Sequence, residues 1–351
     1  MKLKKLLGAL VPFCLFGISA TFVSSTNAQP PFHQNRSPRS FYNNRDSRSF
    51  DFALIGDLPY DARQEEEYKK LIKDINQSWV RFIIHDGDFK SGSSLCSNEL
   101  FLQRSQLFQQ FRHPLVYVFG DNEWTDCHRL AAGEYDPIER LAKLRELFTQ
   151  GDRSLGQRTI ELERQSDNAE YSKFRENVYW TAGNVLFVGI HVVGSNNNLG
   201  RNAENDAEYA ERNAANLVWL KKAFTLAKAN KNLGLVITIH ANPDNFDVPP
   251  TNAEQNGFRD FINALQAELQ EYSKPVMLVH GDSHYFRIDK PLNTPSGTVV
   301  TNFTRVETFG SPNVHWLRVT VDPSNPNLFE VNQEILPPSP QSGGRFYNFK
   351  H

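Results

Sequence analysis

Charge of one sign is the first thing that this 351-residue chain lacks, because its 38 lysines and arginines almost balance its 40 aspartates and glutamates, for a formal net charge of −2. A balance this close to neutrality gives no general attraction to nucleic acid or to an anionic membrane. The central part of the sequence also has no basic stripe with interleaved aromatic residues of the kind that binds nucleic acid strands. We therefore expect no nucleic-acid partner.

Long apolar runs are scarce as well, and the one that stands out covers residues 6–23 at the N-terminus. A basic start with three lysines precedes it, and small residues follow it before Gln29. This arrangement is typical of a secretory signal peptide, so we predict that residues 1–28 are removed and that the mature protein is secreted or periplasmic, with no membrane span. An uncleaved membrane anchor is the alternative, but glycine, proline and serine interrupt the run, and no stop-transfer residues follow it.

Cysteine is rare, with three in the whole chain. Cys14 would leave with the signal peptide, and the mature protein would keep Cys96 and Cys127, an even pair suited to an oxidising compartment. Each of the two lies shortly after a candidate metal-binding turn, so a bond between them would tie together two loops at one edge of a sheet. We predict a Cys96–Cys127 disulfide, with two free buried thiols as the alternative.

The remaining sequence divides by composition. Residues 29–50 are rich in proline, asparagine, serine and arginine without periodicity, which indicates a flexible linker, and residues 337–351 form a similar tail. Between them, residues 51–336 have the size of a single α/β domain. Spacing and capping signals predict helices over 61–77, 98–111, 136–148, 206–229 and 254–272.

Strand-like runs alternate with the predicted helices in much of this block, which favours parallel pairing. Five other strand-like runs are separated by short turns, and few helices lie between the last of them. They predict an antiparallel or mixed second sheet and cover 178–180, 185–193, 298–303, 314–321 and 328–335. The predicted fold class is therefore α/β, with two sheets face to face and helices outside.

Five apolar runs end in an acid or a histidine, and these end residues are Asp57, Asp88, Asp121, His240 and His284. Ligands of open α/β sheets bind beyond the carboxyl ends of strands, where all five residues are expected. Each alone has an ordinary alternative as a cap, a turn residue or a buried histidine. Their recurrence after five runs favours one shared metal site.

The motifs around these residues resemble those of the calcineurin-like metallophosphoesterase superfamily, which includes purple acid phosphatases. The corresponding stretches are Asp57-Leu58-Pro59, Gly87-Asp88, Gly120-Asp121-Asn122-Glu123, His240 and Gly281-Asp282-Ser283-His284. The resemblance implies an αββα sandwich of two sheets between helix layers. Several letters differ from the family pattern: Pro59 stands where a histidine is common, Ser91 where Asp or Tyr is usual, Asp121 for the usual Asn, and Asn122 and Asp282 for histidines.

Carried over residue by residue, the resemblance implies two divalent metal ions. Asp57, Asp88 and His284 would hold the first, and Asp88, Asp121, His240 and Asp282 the second, with Asp88 bridging. The set is rich in carboxylate, so Mn²⁺ or Mg²⁺ is favoured, with Fe, Zn²⁺ or Ca²⁺ as alternatives. The implied reaction is hydrolysis of a small phosphorylated substrate, a monoester or a diester, by a metal-bound hydroxide nucleophile.

Catalysis is where the resemblance is weakest. Asp88 and Asn122 are the catalytic candidates, but Asn122 replaces the histidine that the family uses beside the scissile phosphate, and an amide cannot transfer a proton at neutral pH. His85, His128 and His191 are candidate proton donors, since each lies near a strand end or a catalytic loop, with an ordinary loop histidine bonded to backbone as the alternative for each. The alternative function is a catalytically degenerate domain that binds a phosphorylated ligand or a partner. A secreted nuclease is a third hypothesis, and the oligomeric state is left open.

Overall fold

The computed structural model describes residues 49–243, 256–294 and 296–337. The predicted signal peptide, most of the predicted linker and nearly all of the predicted C-terminal tail lie outside these ranges, as do the first residues of the predicted helix 254–272. No helix within them is long and apolar enough to cross a membrane. Every element described below belongs to the compact unit that covers residues 43–351.

Twelve strands lie within the described residues. In chain order they are β1 Phe50–Ile55, β2 Val80–His85, β3 Leu115–Tyr117, β4 Glu163–Arg164, β5 Val178–Ala182, β6 Val185–Gly189, β7 Gly234–Thr238, β8 Val276–His280, β9 Arg287–Asp289, β10 Phe303–Glu307, β11 Trp316–Val321 and β12 Phe329–Glu334. The helices are α1 Ala62–Gln77, α2 Asn98–Phe108, α3 Pro137–Phe148, the one-turn α4 Gly194–Asn197, α5 Ala203–Ala229 and α6 Arg259–Gln270. Short 3₁₀ turns cover Thr125–His128, Leu130–Ala132, Gln165–Asp167 and Ala169–Tyr171.

The strands form two sheets. The first has five strands in the order β12-β11-β1-β2-β3, with β1, β2 and β3 parallel. The second has seven strands in the order β4-β5-β6-β7-β8-β10-β9, and its four central strands, β6, β7, β8 and β10, are parallel. A crossover helix between parallel strands places the helices on the sheet faces, which is the reason for the alternation along the chain.

The two sheets pack face to face over an apolar core. Its members include Phe52 and Leu54 from β1, Phe187 from β6 and Val236 from β7, all of them buried. Phe52 meets Phe187 edge to face across the two sheets, with ring centroids 5.3 Å apart. One helix layer, with α1, α2 and α3, covers the first sheet, and a second layer, with α5 and α6, covers the other. The molecule is therefore a two-sheet αββα sandwich, as predicted.

Two expectations about the later strands were wrong. The runs 314–321 and 328–335 do not join the second sheet, because β11 pairs antiparallel with β1 and β12 pairs with β11. Leu317 and Val319 of β11 face the same inter-sheet core as β1, which explains their alternation. The strand predicted over 298–303 instead covers Phe303–Glu307, where β10 pairs with the buried β8.

Candidate metal centre

Five loops meet at one edge of the sandwich, beyond the carboxyl ends of β1, β2, β3, β7 and β8. Backbone hydrogen bonds link neighbouring loops within each sheet. The amide of Asp57 donates to the carbonyl oxygen of Gly87 at 2.9 Å, and the amide of Gly281 donates to the carbonyl oxygen of His240 at 3.0 Å. Because all five strands end here, residues far apart in the chain become neighbours.

Two groups of side chains place their ligand atoms within 4.8 Å of one another: Asp57, Asp88 and His240 in one, and Asp121, His240 and Asp282 in the other. His284 adjoins the first group, with its Nε2 3.4 Å from Oδ1 of Asp57. The structure thus brings all six predicted metal ligands together. His240 belongs to both groups, and its Nε2 lies 3.4 Å from Oδ1 of Asp88, the predicted bridging residue.

His240 is oriented by the backbone behind it. Its Nδ1 lies 2.9 Å from the carbonyl oxygen of Asp86, which can only accept a hydrogen bond, so Nδ1 carries a proton. Nε2 is left to face the acids, 2.9 Å from Oδ1 of Asp121. Burial alone lowers the pKa of His240, but the charge of Asp88 and the hydrogen bond to Asp121 raise that pKa well above its usual value. A histidine fixed in this way suits a metal at Nε2.

The carboxylates repel one another in this buried space. Burial raises the pKa of Asp88 well above its ordinary value, and the charges of neighbouring acids add to the effect. Burial and the charge of Asp121 raise the pKa of Asp282 to about 7. Carboxylate oxygens and an imidazole are the donor set that hard and borderline divalent cations take. The residues present therefore fit a pair of divalent ions, which would relieve the repulsion.

The backbone around the site is strained and closely packed. Asp57, Asp88, Asp282 and His284 all have positive φ angles, of 52°, 57°, 75° and 61°. Such left-handed conformations are uncommon for residues other than glycine and cluster at functional sites. A Cβ on Gly194 would lie 2.6 Å from Oδ1 of Asp121 and 2.7 Å from Oδ1 of Asp282, so only glycine fits there.

Tyr60 lies beside Asp57, Asp88 and His284, and it is not among the residues predicted from the sequence. Its hydroxyl donates to Oδ2 of Asp88 at 3.0 Å and lies 3.1 Å from Nε2 of His284. The amide of Asn122 donates to the same hydroxyl at 3.1 Å. Burial, and then the charge of Asp88, raise the pKa of Tyr60 well above its usual value, so the phenol keeps its proton in the metal-free site. Its position three residues after Asp57 is the signal that could have revealed it.

Asn122 is held from three sides. Its backbone amide donates to Oδ1 of Asp88 at 3.0 Å, and its side-chain amide donates to Oδ2 of the same carboxylate. Its carbonyl oxygen accepts from Nζ of the buried Lys90 at 2.7 Å. Cys96 and Cys127 form a disulfide pair, with Cα atoms 5.7 Å apart, and each sulfur lies 3.7 Å from that carbonyl oxygen. Asn122 therefore orients Asp88, and the disulfide flanks its loop.

The three candidate proton donors differ in their surroundings. His85 and His191 are fully buried, and burial lowers the pKa of each to about 4, so both are neutral at neutral pH. His85 accepts from the amide of Gly87, and Nδ1 of His191 lies 3.0 Å from Glu176. Neither can act as the acid at neutral pH. His128 is exposed at the rim, with Nδ1 2.8 Å from the carbonyl oxygen of Thr125.

A second layer of polar contacts supports Asp121. The hydroxyl of Ser195 lies 2.8 Å from Oδ2 of Asp121 and 2.7 Å from Oδ1 of Asp126. Asp126 is buried, and burial together with the charge of Asp121 raises its pKa to about 6. Residues 194–198 can be recognised in the sequence as a polar loop after a strand, but Asp126 and the contact of Ser195 with Asp121 cannot, because they depend on the way this loop folds over the site.

Comparison with known proteins gives one family match and several distant structural matches. The model of the calcineurin-like phosphoesterase family matches residues 50–286. Among solved structures, 5'-nucleotidase from Candida albicans SC5314 is 11% identical over 81% of this chain, with a TM-score of 0.38, and this chain covers 50% of that protein. Vacuolar protein sorting 29 from Cryptosporidium parvum is 10% identical over 82% of this chain and 97% of its own, with a TM-score of 0.30. A single mutant of Vps29 from Entamoeba histolytica is 10% identical over 81% of this chain and 98% of its own, with a TM-score of 0.29. No curated protein matches the chain.

Proposed function

The chain belongs to the calcineurin-like phosphoesterase family, and from that premise we propose that it is an exported, metal-dependent enzyme that hydrolyses phosphate monoesters or diesters. The observation that carries this proposal is the convergence of four carboxylates and two histidines from five separate loops on one small buried space. A purely structural cluster of this kind would be costly, because buried like charges destabilise the fold unless something neutralises them.

The six predicted ligands divide between two ions. Asp57, Asp88 and His284 would hold one ion, and the group of Asp121, His240 and Asp282, with Asp88, would hold the other. Two divalent ions at these positions would polarise the phosphate and lower the pKa of water. Mn²⁺ or Mg²⁺ suits the carboxylate-rich set best, with Fe, Zn²⁺ or Ca²⁺ as alternatives.

The chain's own residues would orient the reactants. Asn122 and Tyr60 donate to Asp88 from the same side and fix the direction in which its oxygens point. Their polar groups also lie beside Asp88 and His284, where they could donate hydrogen bonds to a phosphate oxygen. Asn122 cannot give a proton to the departing alcohol. We therefore expect an aryl phosphate, whose leaving group needs no proton, to be cleaved far faster than an alkyl phosphate.

The direct test is turnover of an aryl phosphate monoester and a bis-aryl diester by the mature protein with Mn²⁺, Mg²⁺, Ca²⁺ or Zn²⁺. Asp88→Ala is the inactive comparison, and Asp152→Ala is the matched control, because Asp152 is 69% exposed. Metal-dependent turnover that Asp88→Ala abolishes and Asp152→Ala leaves intact would support the proposal.

A binding function is the second candidate, and the amide of Asn122 favours it, since that position lacks a group that transfers protons. In that case the domain would bind metal and a phosphorylated ligand or partner without turning it over. Bound metal with no turnover of any ester in the panel would favour this function over the enzyme.

A further inference from the structure

Two arginines lie at the rim of the candidate metal centre. Arg129 directly follows the 3₁₀ turn Thr125–His128, and Arg201 lies just before α5. The side chain of Arg129 is 48% exposed, so its guanidinium is accessible from solvent. Neither arginine belongs to the metal-ligand set, and both come from loops that line its outer side.

A series of polar contacts connects Arg129 to the metal-ligand set through Asp126 and Ser195. Its Nη2 lies 2.7 Å from Oδ2 of Asp126, whose side chain is only 2% exposed. The other oxygen of Asp126 receives the hydroxyl of Ser195, and that hydroxyl also reaches the proposed ligand Asp121. A long, exposed side chain is thereby held in one direction by a buried acid, which is how a guanidinium is prepared to receive an anion.

The other nitrogen of Arg129 lies on the side of the site. A Cβ built on Gly92 would be 2.5 Å from Nη1 of Arg129 and 2.8 Å from Oδ1 of Asn122, so both groups line the same small gap beside this glycine. Arg129 therefore reaches towards Asn122, the residue that stands beside Asp88. An anion that contacts the ligand set through this gap would also meet the guanidinium.

Arg201 adds a second positive charge to the same rim. It is partly buried and its Nη1 donates to Oδ1 of Asn198 at 3.2 Å. Burial lowers the pKa of Arg201, the negative charge of Asp126 opposes that effect, and the positive charge of Arg129 adds to it. Two guanidinium groups near each other repel, and a bound anion between them would remove the repulsion.

Lys90, another cation beside Asn122, already donates to backbone carbonyl groups. Lys90 is buried, and its Nζ donates to the carbonyl oxygens of Ser91 and Asn122. A phosphate that approaches the acidic ligand set therefore meets Arg129 and Arg201 at the rim, and both have the planar, forked donors that match phosphate oxygens.

We propose that Arg129, positioned by Asp126, and Arg201 form an anion clamp that makes phosphate monoesters the preferred substrate class over diesters. This inference rests on the proposed phosphoesterase function. A monoester phosphate has two negative charges and three free oxygens at neutral pH, whereas a diester has one charge, two free oxygens and a second organic arm. Two arginines would therefore bind a monoester phosphate more strongly than a diester. The second organic arm of a diester would also have to displace the arginines.

The test compares the wild type with Arg129→Gln, Arg201→Gln, the double variant and Arg129→Lys, all loaded with Mn²⁺. Arg81→Gln is the matched control, because Arg81 is exposed near the start of β2, away from the carboxyl ends that form the site. The measurements are kcat/KM for an aryl monoester and for a methyl aryl diester, the metal content, and the Kd of inorganic phosphate by calorimetry.

In the double variant we expect kcat/KM for the monoester to fall roughly 100-fold and phosphate affinity to fall at least about tenfold, in line with the loss of two charged hydrogen-bond donors. The diester should change less than about threefold, since it uses the clamp little. Metal content should stay as in the wild type. Arg129→Lys should recover only part of the loss, because lysine lacks the fork.

Equal losses for monoester and diester, or no loss for either, would overturn the clamp. If the wild type hydrolyses neither ester, the proposed function fails, and phosphate binding then decides the clamp separately. Unchanged phosphate affinity in the double variant would overturn it, whereas a clear loss with intact metal content would support it as a binding feature.

Discussion

Two fully buried histidines have opposite electrostatic surroundings in this molecule. His191 lies 3.0 Å from Glu176, and Arg145 pairs with the same carboxylate from the other side. His240 faces Asp88, Asp121 and Asp282 at 3.4, 2.9 and 3.9 Å. Within the described ranges, the ion pairs observed for these three acids are with His240. The first cluster balances its own charge, and the second does not.

The difference separates a structural network from a candidate site. Burial lowers the pKa of His191 to about 4, so the histidine is neutral and Arg145 carries the charge that balances Glu176. The pKa of His240 is instead raised well above its usual value by the acids around it. A buried acid whose charge is balanced by a protein cation needs nothing more, whereas a cluster with several acids and a single histidine needs a ligand of positive charge. Buried histidines alone would not distinguish the two.

The largest expected effect is on turnover in the uncompensated cluster. Asp88→Asn should reduce metal-dependent turnover by roughly 1,000-fold, because it removes a charge that both proposed ions share. Asp121→Asn is the informative partner, since the related family usually has asparagine there, and it should lose less than about tenfold. Steady-state kinetics with a fixed Mn²⁺ concentration measures both. Similar losses in the two variants would mean that Asp88 has no special position.

The compensated cluster should show its importance in stability. Glu176→Gln leaves Arg145 without its buried partner, so the free energy of unfolding should fall by about 3–5 kcal/mol. Glu163→Gln, at an exposed position of β4, should change it by less than about 0.5 kcal/mol. Urea unfolding measures both values. A Glu176→Gln protein as stable as the wild type would show that this cluster does not support the fold.

Metal removal should affect only one of the clusters. At a free concentration of about 100 times Kd, a bound ion contributes about 2.7 kcal/mol to stability, and chelation should remove that contribution. Glu176→Gln should lose the same amount on chelation, because its site is intact, while Asp88→Asn should lose much less. Thermal unfolding with and without a chelator tests this. An equal response in Asp88→Asn would place the stabilising ion elsewhere.

The smallest effect is the opposite pH dependence of the two clusters in metal-free protein. Burial raises the pKa of Asp282 to about 7. Its contribution to stability is therefore complete below its unfolded pKa of about 4 and is lost as the pH rises through 7. The Arg145 guanidinium overcomes the effect of burial and lowers the pKa of Glu176, so that group loses its contribution as the pH falls below about 4.5.

Asp282→Asn isolates the first effect. The variant should equal the wild type near pH 4 and be more stable than it above pH 7, because the wild type then has an extra buried charge. Urea unfolding of metal-free protein between pH 4 and pH 8 measures the gap. A gap that does not widen with pH would contradict the repulsion at this site.

Local sequence patterns were sufficient to predict the parts of the fold that depend on interactions between residues close together in the chain. Asp136 caps α3 by accepting from the amide of Ile138, as its sequence neighbours predicted. Likewise, each proposed ligand follows an apolar run, and the edge where parallel strands end is set by topology. The order of these residues along the chain was therefore enough to predict that they would meet.

Contacts between distant segments could not be predicted in this way. β11 pairs with β1 although more than two hundred residues separate them. The alternation of apolar and polar residues in β11 predicts a strand but does not indicate which strand it pairs with. Tyr60 and Ser195 show the same limit within the site. Each reaches the metal-ligand set through loop conformations that the pattern of apolar residues does not encode, and positive φ at Ser195 is part of that conformation.

The two-ion site can be tested directly by the anomalous scattering of manganese in crystals of the protein grown with Mn²⁺. We predict two peaks at the carboxyl-end edge of the sheets, one beside Asp57 and His284 and one beside Asp121, His240 and Asp282, with Asp88 within coordination distance of both. Absence of any peak among these side chains, in crystals that are otherwise well ordered, would show that they do not hold the two proposed ions.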